Sequence, residues 1–283
     1  MRIALLADIH SNLPALIAAL ADIDRKHAPD SIVSLGDQVN LGPSPREVLA
    51  MLRERGVTCL HGNHERYILS VLRGEPGYDG ANFDSLRFNA ARLSEEEISF
   101  PREMRLGSLI FTHALPEDDR FPVYKPEEAI PALAGMDFPQ GTHILCGHGH
   151  NPTHLRVGGM TVDSIGAAGC MDDGVPGTAS YTILDIEKGG VALRPFLAQY
   201  DPRAVRPLFR ESGMADFCPV MAHIICLQME RQKDLLVQFV TQARRIAAAK
   251  GEQDVSRASW METDAGFPWP GGVGTAAFWR AQM

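Results

Sequence analysis

Several things are scarce in this 283-residue chain, and each scarcity excludes a class of protein. Five cysteines (Cys59, Cys146, Cys170, Cys218, Cys226) are odd in number, irregular in spacing and form no CxxC pair. That excludes a disulfide framework or a thiolate zinc site and predicts small buried thiols in a reducing compartment. No apolar run reaches the length of about 18 residues that a membrane-spanning helix needs. The opening MRIALLADIH holds one basic residue and too short an apolar stretch for a signal peptide, so the expected location is the cytoplasm. Positive charge is also short: 27 Lys and Arg against 35 Asp and Glu leave a formal charge of −8. A duplex nucleic-acid binder would need a basic face, so that partner is not expected. An anionic substrate remains compatible, because bound cations can reverse the local potential.

What is present reads as an α/β protein, with 45% hydrophobic and 22% charged residues. Residues 3–7, 32–35 and 57–60 are strand-like runs. Between them lie a helix over 13–27 and a second helix opened by Ser44-Pro45. Strands alternating with helices predict a largely parallel sheet. A less regular helical stretch over 82–97 precedes strands at 109–112 and 143–146. Beyond these, runs at 154–157, 160–163, 181–186 and 191–196, with a hairpin turn at Lys188-Gly189-Gly190, predict a second, antiparallel-rich sheet stacked on the first. The expectation is two stacked mixed sheets flanked by helices over residues 1–204. A C-terminal helical extension with an irregular tail would pack on them over 205–283. In that extension Phe217, Val220, Met221, Ile224 and Ile225, then Leu235, Leu236, Phe239 and Val240, recur at helical spacing. A helix packed on the domain is the simplest use of that stripe, and a lid or a homodimer contact is the functional alternative. Trp260, Trp269 and Trp279 fit core positions, with stacking on a base as the other use.

Five short motifs follow five of the strand-like runs: Asp8-Ile9-His10, Gly36-Asp37, Gly62-Asn63-His64-Glu65, Thr112-His113 and Gly147-His148-Gly149-His150. In open α/β sheets ligands gather at the carboxyl ends of the strands. Residues i and i+2 of an extended chain project to one side, so Asp8 with His10, and His148 with His150, can each grip an ion. A carboxylate such as Asp37 can bridge two cations. Imidazole mixed with carboxylate and amide oxygen suits Mn, Fe, Zn or Ni better than a calcium cage. Singly, each motif has an ordinary explanation: DxH is common, Gly-Asp usually makes a turn, a lone histidine usually belongs to the core. Together and in this order they predict a metal site. His27, His61, His143, His154 and His223 follow no such pattern and are expected to be structural.

These motifs resemble those of the calcineurin-like metallophosphoesterase superfamily. DIHSNLPAL, GDQVNLGPSPREVL and GNHE further resemble its bacterial diadenosine-tetraphosphatase-like or YfcE-like branch, over roughly residues 1–200. The resemblance implies a phosphoesterase with two divalent ions, manganese first among the candidates. Asp8, His10, Asp37 and His150 would hold one ion, and Asp37, Asn63, His113 and His148 the other. A hydroxide shared by the metals would attack phosphorus in line. His64 would protonate the leaving oxygen or steady the transition state. Asn12 would contact phosphate or, alternatively, cap the following helix. Small phosphomonoesters or phosphodiesters, nucleotides among them, are the implied substrates. A phosphoprotein phosphatase and a non-catalytic binding module of the same fold are the alternatives. Three departures bear on substrate: Asn40 and Leu41 stand where protein phosphatases carry an Asp-Arg pair, Gly149 replaces the threonine of GHTH, and Ser164-Ile-Gly-Ala replaces Asn-Pro-Gly-Ser.

Overall fold

The computed structural model describes residues 1–281 and holds two five-stranded sheets, face to face. In the first, β1 (Arg2–Leu6), β2 (Ser31–Ser34) and β3 (Thr58–Cys59) run parallel. In the second, β5 (Leu109–Thr112), β6 (His143–Cys146) and β8 (Met160–Ser164) run parallel, with β4 (Glu103–Leu106) and β7 (Thr153–Val157) antiparallel at the edges. The hairpin of β9 (Thr178–Glu187) and β10 (Gly190–Gln199) departs from expectation: it extends the first sheet, β9 pairing antiparallel with β1. Each sheet is therefore part parallel and part antiparallel, and there is no parallel sheet stacked on an antiparallel one. The pairing follows burial. β9 is buried over its first seven residues, so it sits centrally beside β1, while the mostly exposed β10 forms the edge.

Side chains alternate across the strands and build three layers of core. Ile3, Leu5, Val33, Leu35, Phe111, Leu145 and Leu184 fill the space between the sheets. Ala4 and Leu6 point outward onto α1 (Leu13–Lys26), whose Ala15, Leu16, Ala19, Leu20 and Ile23 recur on one face. Ile110, Ile144 and Val162 pack on the far side with Ala129 and Leu133 of α6 (Pro126–Ala134). α2 (Pro45–Glu54), α3 (Asn63–Leu72), α4 (Asp84–Ala90) and α5 (Glu95–Ile98) enclose a fourth cluster around Ile68 and Leu86. Helices α3 and α6 and strand β4 had no counterpart in the reading above. α6 carries Pro131 inside it, and α3 begins at Asn63, inside the Gly62-Asn63-His64-Glu65 motif.

Between Val205 and Arg280 the regular structure is helical: α7 (Val205–Glu211), α8 (Met214–Phe217), α9 (Pro219–Arg231), α10 (Leu236–Ala249), α11 (Arg257–Gly266) and α12 (Thr275–Arg280). α9 is buried from Val220 through Glu230, hence on every face. Its neighbours supply Phe209, Phe239, Trp260, Trp269 and Trp279, so all three tryptophans belong to a core. The same cluster takes in Leu41, Phe88 and Cys170 from the earlier part of the chain. None of the described helices is long and apolar enough to cross a membrane.

Candidate metal centre

The parallel strands all point their carboxyl ends the same way within each sheet, and five of the loops that follow them meet at one place. Three come from the first sheet (after β1, β2 and β3) and two from the second (after β5 and β6). Backbone bonds zip the first pair together: Asp8 N donates to Gly36 O (3.1 Å), His10 N to Asp37 O (3.0 Å) and Ser11 N to Gln38 O (2.9 Å). Gly147 N donates to His113 O (2.9 Å) in the second pair. The Asp8 carboxylate joins the two sheets by accepting from His148 N at 3.1 and 3.0 Å.

The local geometry corrects one premise. Asp8 (φ 52°), His10 (φ 50°), His148 (φ 64°) and His150 (φ 54°) are left-handed, not extended. Their side chains converge because consecutive tight turns curl the backbone around the site. Ser11, Asp37, Asn40 and Leu41 are left-handed too, so eight of the ten non-glycine residues with positive φ among those described lie in these loops. Each costs on the order of 1–3 kcal/mol, a strain the surrounding hydrogen bonds hold in place. Glycine is required at Gly62, where a Cβ would sit 2.2 Å from Asp37 Oδ1.

The donor atoms are close. Asp37 Oδ2 lies 3.3 Å from His113 Nε2, 3.8 Å from His64 Nε2 and 3.9 Å from His10 Nε2. His150 Nε2 is 3.8 Å from Asp8 Oδ1, and Asn63 Oδ1 is 2.8 Å from His113 Nε2. The His148 ring packs edge-on against that of His113, centroids 5.1 Å apart. Asp8, His10, Asp37, Asn63 and His113 are all buried, whereas His64, His148 and His150 are partly open and form the approach.

Electrostatics matches this crowding. Burial pushes the Asp8 carboxyl up to about 6, against the pull of His150 and His113. Burial also opposes ionisation of Asp37, but His113 and His64 outweigh it and hold Asp37 well below the usual range. Burial opposes the charged form of His113 as well; Asp37 overcomes it and lifts the imidazole to about 10. His10 is held well below its ordinary value by burial and by His64.

These residues fit divalent cations. Two buried carboxylates have only histidines as ion-pair partners among the described residues, and a buried carboxylate calls for a cation. Leu35 O can only accept, so His113 Nδ1 carries the proton in their 2.9 Å bond and Nε2 is left to face the centre. Asp172 likewise accepts from His150 Nδ1 (3.2 Å), leaving His150 Nε2 opposed to His10 Nε2 at 3.2 Å. Two imidazoles on one ion, with bonds of about 2.0–2.1 Å at roughly 90–110°, place their nitrogens about 2.9–3.4 Å apart.

Other residues have their own places. His64 Nδ1 meets the Asn40 amide nitrogen at 2.7 Å, which leaves Nε2 as the protonated nitrogen. Asn12 is wholly buried: its oxygen caps α1 at Ala15 N (3.2 Å) and its amide donates to Gly169 O (2.7 Å), so its polar atoms are used inside the fold. His223 is buried between Trp269 and Phe278, and His143 and His154 share Asp163 on the second sheet, away from the centre.

Three supporting residues had no assigned role. Glu65 is buried and accepts from Gly62 N (2.8 Å), Asp37 N (2.9 Å), Gln38 N (2.9 Å) and Val39 N (3.3 Å), clamping the loop after β2 to the one after β3. Asn89 on α4 accepts from Asn40 N at 3.1 Å. Asp172 is the partner of His150. Glu65 lies inside GNHE, where an acid three residues past a turn glycine is a capping signal; Asn89 and Asp172 carry no signal in the sequence.

Two stacked mixed sheets whose loops gather carboxylates, imidazoles and an amide at one end define a metallophosphoesterase, and the chain belongs to that family: residues 1–166 match calcineurin-like phosphoesterase. A metallophosphoesterase from Sphaerobacter thermophilus superposes with a TM-score of 0.58 at 27% identity, over 75% of this chain and 94% of that one. An uncharacterized protein of Methanocaldococcus jannaschii is 29% identical over 53% of this chain and 63% of its own length. The symmetrical bis(5'-nucleosyl)-tetraphosphatase of Yersinia enterocolitica is 36% identical over 72 residues, a quarter of each chain. These curated relatives are thus matched over less than two thirds of their length.

Proposed function

We propose that the chain hydrolyses small phosphomonoesters or phosphodiesters with two divalent ions, manganese first among them and iron, zinc or nickel as alternatives. The carrying observation is Asp37: one buried oxygen within 4 Å of three imidazoles, between the two groups of ligand side chains. Asp8, His10, Asp37 and His150 would hold one ion, and Asp37, Asn63, His113 and His148 the other. Two such ions supply a nucleophile at neutral pH and charge for the phosphoryl oxygens. The protein's own part is positioning. Asn40 holds the His64 ring, and Nε2 lies 3.8 Å from Asp37 Oδ2 at the centre, where it would protonate a leaving oxygen. Nucleotides stand among the candidate substrates because 72 residues are 36% identical to a symmetrical bis(5'-nucleosyl)-tetraphosphatase, and because Tyr67 and Tyr124 lie beside His64 and His148, centroids 5.6 and 5.8 Å apart. Residues 205–283 are read as an extension of the same unit.

Purified full-length protein is expected to hydrolyse a nitrophenyl phosphate monoester or diester with added Mn²⁺, and to stop when a chelator is added. No metal-dependent turnover across a phosphoester panel with Mn, Fe, Zn, Ni and Mg would contradict the proposal.

A further inference from the structure

The C-terminal helices reach the metal centre through one hydrogen-bonded line. Gln228 on α9 is 2% exposed. Its Oε1 accepts from both Leu235 N (3.0 Å) and Leu236 N (2.9 Å), which fixes the amide and turns Nε2 toward Asp172 Oδ1 at 3.3 Å. The same Oδ1 accepts from His150 Nδ1. The loop bearing Asp172 is tied to that region at three backbone points. Met171 N donates to Gln232 Oε1 (2.7 Å), Gly174 N to Gln232 O (2.8 Å), and Asp234 N to Asp172 O (2.9 Å). Gln232 is wholly buried and left-handed (φ 50°), so the turn after α9 is shaped to meet this loop.

We infer that Asp172 is a positioning residue for the metal centre, fixing His150 with Nε2 inward, and that Gln228 and the turn after α9 place Asp172, so the C-terminal extension completes the outer shell of one ion site. This rests on the metal-centre reading above. A carboxylate on the far nitrogen of a ligating imidazole fixes its tautomer and ring orientation and raises its basicity, and losing such a partner typically costs about 10–100-fold in metal affinity. Asp172 itself is partly exposed, its side chain at 39%, so replacing it leaves no cavity in the core.

The test is Mn²⁺ titration of the full chain by competition with a fluorescent chelator, with thermal unfolding measured alongside. Wild type should take up two ions. Asp172→Ala should weaken one of them about 10–100-fold and leave the other and the melting midpoint unchanged. Asp172→Asn, which keeps an acceptor without charge, should fall between. Gln228→Leu should shift the same ion in the same direction, whereas Glu262→Gln on the exposed side of the extension should shift neither. Wild-type affinity at both sites in Asp172→Ala would overturn the inference, as would an equal loss at both sites accompanied by a lower midpoint. A wild-type chain that takes up no Mn²⁺ would overturn the metal-centre reading and the inference with it.

Discussion

Asp37→Asn is expected to lower metal-dependent turnover by about 10³-fold or more and to reduce bound Mn²⁺ from two ions to one or none. The magnitude follows from what the substitution removes. Charge stabilisation by a bound ion is worth several kcal/mol of transition-state energy, and each 1.36 kcal/mol or so is tenfold in rate. Asp37 Oδ2 lies within 4 Å of His113, His64 and His10, so a single oxygen touches members of both proposed ligand groups. The asparagine keeps the shape and the backbone bond from Asp37 N to Glu65, which separates loss of charge from loss of fold. Steady-state kinetics with a metal count on the same sample checks this. Turnover within tenfold of wild type would contradict the bridging role.

His64→Ala should separate chemistry from metal binding. A positioned acid contributes about 10²–10⁴-fold, so kcat should fall by that range while both ions stay bound. The ring stands 3.8 Å from Asp37 Oδ2 with Nδ1 engaged by Asn40, and it is partly exposed toward the approach. An ester with a good leaving group needs less protonation, so a nitrophenyl substrate should lose less than an alkyl ester. Equal losses on both would assign His64 to holding the transition state rather than to giving a proton. Loss of one ion would make it a ligand, for which its distance from Asp37 and His10 is suited.

That these side chains would gather at one place was legible because their chemistry is uncommon in combination: carboxylates, an amide and imidazoles, each just after an apolar run. The strands 109–112 and 143–146 were legible for the same reason, being short, apolar and bounded. Sheet membership was not, because pairing is a long-range choice; the 178–199 hairpin looks the same whether it joins β1 or a separate sheet. Nor was the backbone at the motifs. An i, i+2 pair suggests an extended strand, and only the bonds between neighbouring loops reveal left-handed turns at Asp8 and His10. Glu65, Asn89 and Asp172 show the remaining limit. An acid or amide acquires its role from partners such as Asp37 N, Asn40 N and His150, which the chain brings from 28, 49 and 22 residues away.

The most direct test of the account is anomalous diffraction at the manganese edge from crystals of the full chain grown with Mn²⁺. It should show two peaks flanking the Asp37 carboxylate, one among Asp8, His10 and His150 and the other among Asn63, His113 and His148. A single peak, or none within reach of Asp37, would contradict the two-metal centre.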